Sequence, residues 1–302
     1  MPHSTAAPIR IDHPPAARQK RHPVRGVRWL IVAAALSALV WAGYRRTPCG
    51  SEVGTAFSHA EGRTRADADK RSFRAATFNI HGGEGRDGRL DLQRTAECLR
   101  GADLVALNEV YGRNFWEYAD QAETLGRETN LDWLFAPSEH RWGHDHFGNA
   151  ALTSLAVQSW QRLPLPRDYG HSCRNLLLAA FSHRGRTVRV VITHLDRSHD
   201  RDRGRQLQLA ADLFLGLAEP AILMGDMNTT ADEPAMKRLL SAPGVGDPLA
   251  DVMGEATPRR IDWILTRGLE TLDAGLIDTR ASDHPCVWAD LRLPGDETPQ
   301  AR

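Results

Sequence analysis

The chain has 302 residues, 41% of them hydrophobic and 25% charged, which excludes a generally disordered protein and provides enough apolar residues for a globular core. The 38 basic and 38 acidic residues balance, but residues 1–72 carry 12 basic and 5 acidic residues, whereas residues 73–295 carry 25 and 31. The larger part is therefore mildly acidic. This excludes the broad basic surface of a tight nucleic-acid binder, although it is compatible with a local basic strip.

A basic tail, residues 1–28, precedes an apolar segment, residues 29–44. The segment predicts an N-terminal hydrophobic helix that directs the chain to the membrane. Its about 15 uncharged residues from Trp29 to Gly43 are fewer than the roughly 20 that an untilted span needs. Three interpretations stay open: a transmembrane anchor, a signal peptide cleaved at Val40-Trp41-Ala42, and a buried globular helix.

The basic excess before residues 29–44 favours an N-terminus on the inner side of the membrane. An anchor would then hold the rest of the chain outside the cytoplasm, in the periplasm or at the cell surface. A cleaved signal peptide would instead release it as a secreted protein. The membrane is therefore an expected partner through residues 29–44.

Residues 45–71 are polar, lack sustained periodicity and are predicted to form a linker. The folded domain is expected over residues 72–295, followed by a tail at 296–302. Strands and helices alternate in this domain, and the short strands between 149 and 193 favour a mixed sheet arrangement over a purely parallel one. Strands are predicted at 74–80, 103–110, 149–157, 176–182, 188–193, 221–224, 261–265 and 286–291, and helices at 90–99 and 203–217.

The four cysteines do not indicate a pairing. Cys98 and Cys286 fall among apolar positions, where a buried free thiol is expected. Cys49 lies in the predicted linker, and Cys173 precedes a predicted strand. Export would allow a disulfide without requiring one.

Polar side chains recur at or beside the ends of the predicted strands. Because a strand interior resists unpaired polar groups, such residues are most economically explained as the rim of one shared active site. Hydrolysis of a phosphate ester needs neutralisation of the phosphoryl oxygens, a positioned water and help for the leaving oxygen. Carboxylates without a thiolate cluster suit Mg²⁺ or Mn²⁺. The residues concerned are Asn79, Glu109, Asn149, His194, Asp226, Asn228, Asp262, Asp283 and His284.

The segment Gly225-Asp226-Met227-Asn228 leaves a predicted strand through a glycine. In the functional interpretation, Asp226 accepts a proton from the attacking water or orients it, and Asn228 holds the phosphate. The alternative is a structural Asx turn.

His194 and His284 are the histidines best placed for the scissile group. A carboxylate at Asp262 would fix the tautomer of His284 and favour its charged form. Asn79 and Asn149 would supply uncharged hydrogen-bonding arms. For His140, His144 and His146, an exposed histidine-rich loop and a substrate or metal contact both stay open.

In combination, these motifs resemble the endonuclease/exonuclease/phosphatase superfamily with its DNase I-like fold. The resemblance covers about residues 73 to 293. It rests on Thr77-Phe78-Asn79-Ile80-His81, Leu107-Asn108-Glu109-Val110, Gly148-Asn149-Ala150, Thr193-His194-Leu195, the Gly-Asp-x-Asn segment, Ile261-Asp262-Trp263-Ile264 and Ser282-Asp283-His284.

The resemblance implies a fold and a set of roles. The fold is a two-sheet α/β sandwich, with the site where the sheets meet at one edge. The position of Glu109 binds a divalent metal, with Asn79 and Asp283 nearby. Asp226, Asn228 and His194 act on water and phosphate, Asp262 pairs with His284, and Arg174 matches an arginine that contacts phosphate. Asn108 replaces the usual glutamine, which should matter little if that side chain only supports the sheet.

The substrate is less well determined. A nuclease activity is favoured by the fold but not by the acidic domain or by export. A phospholipid or sphingomyelin phosphodiesterase is favoured by membrane tethering, which raises the effective concentration at a bilayer. A non-catalytic binding module would be expected to lack some acid–base or metal residues, and none is missing. The expected protein is a monomeric, Mg²⁺- or Mn²⁺-dependent phosphodiesterase acting on nucleic acid, with a lipid headgroup as the alternative.

Overall fold

The computed structural model describes residues 24–59, 70–113, 120–142, 144–170 and 172–295. It divides into two compact units, Met1–Tyr44 and Arg45–Arg302. Most of the predicted basic tail and the C-terminal tail at 296–302 lie outside the described residues.

The first unit contains helix α1 (Val24–Tyr44), so the predicted N-terminal hydrophobic helix is present. The side chains between Val27 and Ala42 are exposed. Among the described residues, no helix combines the length and the apolar character needed to cross a membrane. The predicted transmembrane span over residues 29–44 is therefore not supported. Charges at Arg28 and Arg45 limit its uncharged part to about 15 residues, against the roughly 20 of a span.

The second unit is built from strands that form two sheets. Its described strands are β1 (Thr47–Pro48), β2 (Glu52–Gly54), β3 (Ser72–Asn79), β4 (Leu104–Tyr111), β5 (Asp132–Arg141), β6 (His144–Thr153), β7 (Ala156–Pro164), β8 (Asn175–His183), β9 (Arg186–His194), β10 (Ala221–Asp226), β11 (Asp262–Arg267), β12 (Glu270–Ile277) and β13 (Cys286–Arg292). Sheet A has the order β1-β5-β6-β4-β3-β13-β12, and sheet B the order β11-β10-β9-β8-β7-β2.

Short helices connect the strands. They are α2 (Leu92–Cys98), α3 (Gln121–Thr129), α4 (Asp200–Gly216), α5 (Pro234–Leu240) and α6 (Pro248–Met253), with 3₁₀ turns at His81–Gly83 and Gly254–Ala256. Asp91 and Asp120 begin α2 and α3, because each carboxylate accepts backbone N–H groups of the first turn that have no partner within the helix.

Three layers of apolar side chains hold these elements together. The central layer lies between the sheets. Successive side chains of a strand point to opposite faces of its sheet, so each strand contributes every second residue to this layer. In β9, Val190 and Ile192 belong to this central layer, whereas Val191 packs with Leu207 and Phe214 of α4. A third cluster packs α2 and α3 against sheet A. The result is the predicted two-sheet α/β sandwich with mixed sheets and helices on both outer faces.

The predicted linker differs from the structure in its first half. Thr47–Pro48 pairs with β5 and Glu52–Gly54 pairs with β7, while Phe57 is buried in the central layer. The folded unit therefore begins near residue 45 and not near Ser72. Strands of two and three residues are too short to produce a periodic pattern, so composition alone suggested a linker. Residues 60–69 lie outside the part of the chain that is described.

The region between residues 130 and 165 also differs from its prediction. The predicted strand at 149–157 covers the end of β6 and the beginning of β7. The histidine-rich segment is not a simple exposed loop, because His140 lies within β5 and His144 begins β6.

Candidate active site

Strand register brings three predicted site residues side by side in sheet B. Asp226, the last residue of β10, pairs with His194 at the end of the parallel strand β9. On its other side it pairs with Asp262, the first residue of the antiparallel strand β11. Alignment in the ladder explains how residues far apart in the sequence meet, since paired positions in adjacent strands lie about 5 Å apart.

Sheet A contributes Asn79, Asn108 and Glu109 from a second pair of parallel strands. Asn79 ends β3 and pairs with Asn108 of β4. The pairing of β4 with β6 shifts register between Leu107 and Val110, and Glu109 has a φ of 57°. A non-glycine residue in the left-handed region costs about 1–3 kcal/mol, and such strain concentrates at functional sites. The irregularity interrupts the alternation of side chains along β4, so that the consecutive residues Asn108 and Glu109 both reach the site.

Asn108 connects the two sheets. Its Nδ2 donates to Asn149 Oδ1 at 2.8 Å and to the Thr193 carbonyl oxygen at 3.2 Å. Its Oδ1 accepts the backbone N–H of Asp226 at 2.8 Å. The buried amide therefore fixes the backbone that carries Asp226, which goes beyond the sheet support expected for this position.

Asn79 contacts the carboxylates on both sides of the cleft. Its Nδ2 lies 3.2 Å from Glu109 Oε1 and 3.0 Å from Asp226 Oδ2. Its Oδ1 accepts the backbone N–H of His81. The amide orientation is thus determined, because the nitrogen has only acceptors beside it and the oxygen has a donor.

His194 is held as a neutral imidazole with a defined tautomer. Arg174 Nη1 lies 3.0 Å from His194 Nδ1, and because a guanidinium can only donate, Nδ1 accepts and Nε2 carries the proton. Burial, followed by the charge of Arg174, holds the pKa of His194 well below its usual value. The Nε2–H is directed at the carboxylates, 3.5 Å from Asp226 Oδ2 and 3.9 Å from Glu109 Oε1.

His284 is held in the opposite protonation state. Its Nδ1 lies 2.7 Å from Asp262 Oδ2, and its Nε2 lies 3.9 Å from Asp226 Oδ2. Burial alone would lower the pKa of His284, but the hydrogen bond to Asp262 and the charges of both aspartates raise it to about 9. The site therefore contains one neutral and one cationic imidazole at neutral pH.

Asp226 lies between these two histidines and is 1% exposed. Burial, together with the charge of Asp262, raises the pKa of Asp226 to about 6. Its Oδ1 accepts the backbone N–H of Asn228 at 2.8 Å, so the Asx turn of the structural alternative is present within the site. A carboxylate with this pKa is ionised at neutral pH and is still basic enough to take a proton.

The carboxylates of Glu109 and Asp283 are the more accessible ones in the site. Their side chains are 28% and 53% exposed, whereas those of Asp226 and Asp262 are 2% exposed. Ser282 Oγ donates to the Asn79 carbonyl oxygen at 2.7 Å, which places Asp283 beside the end of β3. Glu109 and Asp283 thus form an oxygen-rich rim suited to a hard divalent cation, while the third predicted ligand, Asn79, turns its Nδ2 and not its oxygen toward Glu109.

The other predicted substrate contacts are engaged within the protein. Asn149 is buried, and its Nδ2 donates to the Oδ1 and the carbonyl oxygen of Asn175. Asn228 Nδ2 donates to the Leu195 carbonyl oxygen at 3.1 Å. Arg174 lies behind His194. These three residues therefore position the site in this structure; the Asn149 and Asn228 amides are engaged by protein oxygens, whereas the Nε of Arg174 has no partner among the described residues.

Sequence reasoning did not identify Asn175 and Ser282 as site residues, and it underestimated Asn108. Asn175 Nδ2 donates to the carbonyl oxygens of Ala136 and Pro137, so an amide chain from Asn108 through Asn149 to Asn175 crosses the sandwich. A signal was present for Asn175, because it directly precedes the apolar run Leu176-Leu177-Leu178.

The family model described as the Endonuclease/Exonuclease/phosphatase family matches residues 76–284. No curated protein matches the chain significantly. Many solved structures share its fold, including the following three. An endonuclease/exonuclease/phosphatase from Beutenbergia cavernae DSM 12333 is 23% identical, with a TM-score of 0.61, covering 76% of this chain and 74% of that one.

The other two structures are named for more specific proteins. TDP2 of D. rerio, complexed with a single-strand DNA product, is 16% identical with a TM-score of 0.56, covering 74% of this chain and 100% of its own. The mannosyl-6-phosphatase of Bacteroides thetaiotaomicron VPI-5482 is 17% identical with a TM-score of 0.60 and the same coverages. At these identities the likeness concerns the fold alone.

Proposed function

This chain belongs to the endonuclease/exonuclease/phosphatase family of phosphoester hydrolases, and from that premise we propose that it is a divalent-metal-dependent phosphodiesterase acting on nucleic acid. One observation carries the proposal. A neutral imidazole, a cationic imidazole and a basic carboxylate, those of His194, His284 and Asp226, converge beside the accessible carboxylates of Glu109 and Asp283. Metal-assisted attack of water on a phosphorus centre uses a base for the water, proton donors for the phosphate oxygens and ligands for the cation, and this cluster offers all three.

The residues at the rim fit the metal that the family implies. Glu109 and Asp283 offer carboxylate oxygens without a thiolate, which favours Mg²⁺ or Mn²⁺, and Asn79 would join them only after turning its amide. Bound there, the cation would neutralise phosphoryl oxygens as a Lewis acid. The ligand atoms of Asp226, Asp262 and His284 also lie within 4.8 Å of one another. We assign these three to proton chemistry instead, because the doubly protonated imidazole of His284 has no lone pair left to bind an ion.

The proton positions assign a role to each inner residue. Asp226 takes the proton of the attacking water, since it is the buried carboxylate whose pKa is raised to about 6. His194 donates its Nε2–H to a phosphoryl oxygen, because Arg174 occupies its Nδ1. His284 carries a proton at Nε2 toward the same point, held in that state by Asp262. Asn228 and Asn149 would join the phosphate contacts after exchanging partners.

The choice of nucleic acid is supported by a side chain next to the metal rim. Tyr111 follows Glu109 by two residues and is 42% exposed, with its ring braced edge-on by His146 and Phe147. An exposed aromatic ring in a fixed orientation provides a stacking surface for a base. The D. rerio structure with its single-strand DNA product shows that the fold accommodates such a ligand.

A phospholipid or sphingomyelin headgroup is the second candidate. It is favoured by α1, whose Trp29, Leu30 and Ile31 side chains are exposed and would be covered at a lipid surface. With either substrate, we propose that the catalytic unit acts outside the cytoplasm as a monomer.

A substrate panel tests the proposal. The full chain, in mild detergent, is assayed on single-stranded DNA, duplex DNA, RNA, sphingomyelin and phosphoinositides, each with Mg²⁺ and with excess chelator. We expect Mg²⁺-dependent cleavage of a nucleic acid that is lost in Asp226→Asn. Cleavage of a lipid alone would establish the second candidate, and equal cleavage by the Asp226→Asn protein would contradict both.

A further inference from the structure

A second group of metal-binding side chains lies outside the catalytic cluster, on three adjacent strands of sheet A. Thr47 of β1 pairs with His140 of β5, and His140 pairs with Asp145 of β6. Cys49 follows Thr47 by two residues and continues this pairing, since its backbone N–H donates to the Ser138 carbonyl oxygen at 3.0 Å. Because side chains two residues apart share a face of the sheet, Cys49, His140 and Asp145 project from the same side.

The three side chains converge at atomic distances. The Cys49 thiol, an imidazole nitrogen of His140 and a carboxylate oxygen of Asp145 all lie within 4.8 Å of one another. His140 Nδ1 is 2.9 Å from Asp145 Oδ1. A zinc ion binds sulfur at about 2.3 Å and nitrogen at about 2.1 Å, so its ligands lie roughly 3.5 Å apart. Movement of the ligand atoms by about 1 Å, through side-chain rotation, would therefore close the three residues around an ion.

We propose that Cys49, His140 and Asp145 form a zinc-binding site that is separate from the catalytic metal rim. A thiolate and an imidazole select Zn²⁺ over Mg²⁺, and a carboxylate is the third ligand, which leaves the fourth tetrahedral position to water. The buried Cys49 forms the floor of the site. The His140 and Asp145 side chains, which are 39% and 53% exposed, leave an entry path for the ion.

In the metal-free site, Cys49 retains a proton that an ion would replace. Burial raises the pKa of Cys49 to about 12, so the residue is a thiol until a cation stabilises its ionised form.

The site would fasten the beginning of the folded unit. Strand β1 has only two residues and pairs with β5 alone, so few ladder hydrogen bonds hold it. An ion shared by Cys49 beyond β1 and by the β5–β6 hairpin would join the segment to the sheet. The role is structural, and it does not depend on the substrate of the catalytic site.

Cobalt binding tests the site directly, because Co²⁺ substitutes for Zn²⁺ and a thiolate–cobalt bond gives a charge-transfer band in the near ultraviolet. The probe is CoCl₂, added to the full chain after chelator treatment and with a phosphine reductant. We expect a thiolate band that saturates at one equivalent and is displaced by ZnCl₂. Oxygen ligands at the catalytic rim cannot produce this band, so catalytic metal binding does not interfere.

Single variants locate the ligands. Cys49→Ser should abolish the band, and His140→Ala and Asp145→Ala should each weaken Co²⁺ binding by about tenfold or more. Cys173→Ser is the matched control, since Cys173 is also a buried thiol but is not among the three residues, and it should keep the band. Circular dichroism checks that each variant is folded, and ZnCl₂ should raise the melting temperature of the unaltered chain but not that of Cys49→Ser.

Three results would overturn the site. The first is no thiolate band in the folded, fully reduced chain. The second is a band that survives in Cys49→Ser or disappears in Cys173→Ser. The third is a thiol titration of the native chain in which Cys49 is consumed in a disulfide, since a disulfide sulfur cannot bind the ion.

Discussion

His284 and Asp262 come from different sheets and meet at 2.7 Å, Nδ1 to Oδ2. The histidine immediately precedes β13 of sheet A, with only Pro285 between them, and the aspartate begins β11 of sheet B. This pair determines the protonation state of the only imidazole in the described site that is cationic at neutral pH. Its energetic role can therefore be measured by removing each partner separately and then both.

Removing Asp262 should lower the pKa of His284. Without the hydrogen bond and charge of Asp262, burial is opposed only by the charges of Asp226 and Asp283, so the pKa falls from about 9 and the basic limb of the pH–rate profile moves to lower pH. The measurement is kcat against pH for Asp262→Asn, which should keep its metal affinity. The double variant Asp262→Asn/His284→Ala should be only slightly slower than His284→Ala. Losses that add would show that the two residues act separately.

Asp226→Asn should reduce the rate by about 10²-fold or more, because it removes the base and keeps the shape. In the unaltered chain, the rate should fall as the pH drops through about 6, where Asp226 is protonated. This acidic limb should be absent from the residual activity of the variant. Asp212→Asn, on the exposed side of α4, serves as the control and should change neither quantity. A variant with a near-normal rate would exclude Asp226 as the base.

Glu109→Gln should weaken activation by the metal. The amide keeps the size of the side chain but loses its charge, so the Mg²⁺ concentration for half-maximal activity should rise by about tenfold or more. Glu97→Gln changes an exposed acid on α2 and should leave the Mg²⁺ requirement unchanged. Chelator should abolish hydrolysis, and Mg²⁺ or Mn²⁺ should restore it. Undiminished hydrolysis in excess chelator would be incompatible with the mechanism.

Asn108→Ala should affect both stability and rate. It leaves the Asp226 N–H and the Asn149 Oδ1 without their partner, at about 1–3 kcal/mol for each unsatisfied buried group. Denaturant unfolding measures the loss. Asn108→Gln retains an amide and should recover part of both properties. If the alanine variant unfolded like the parent chain, the amide would not be what holds the sheets in register.

The charge distribution around α1 predicts the location of the catalytic unit. With the basic residues before residue 29 retained inside, a reporter fused after Arg302 should be active only if it functions outside the cytoplasm. An alkaline-phosphatase fusion and a fluorescent-protein fusion provide the two readouts. Fluorescence of the second without activity of the first would refute export.

The residues of the site were easier to predict from the sequence than the contacts that surround them. Glu109, His194 and Asp226 each end or follow an apolar run, and that local pattern survives folding because strand ends meet at one edge. Contacts between sheets leave no local pattern, which is why the three bonds of Asn108 were missed. The irregularity at Glu109 was also unpredictable, since nothing in Leu107-Asn108-Glu109-Val110 indicates a positive φ.

The division of the site between two sheets has a consequence for how activity is gained and lost. Sheet A brings the rim that suits the cation, and sheet B brings His194, Asp226 and Asp262. Neither sheet alone holds both the metal ligands and the proton-transfer residues, so a chain whose sheets have not docked would not hydrolyse the substrate. Hydrolysis therefore reports the docking of the two sheets, and it should be lost whenever that docking is lost.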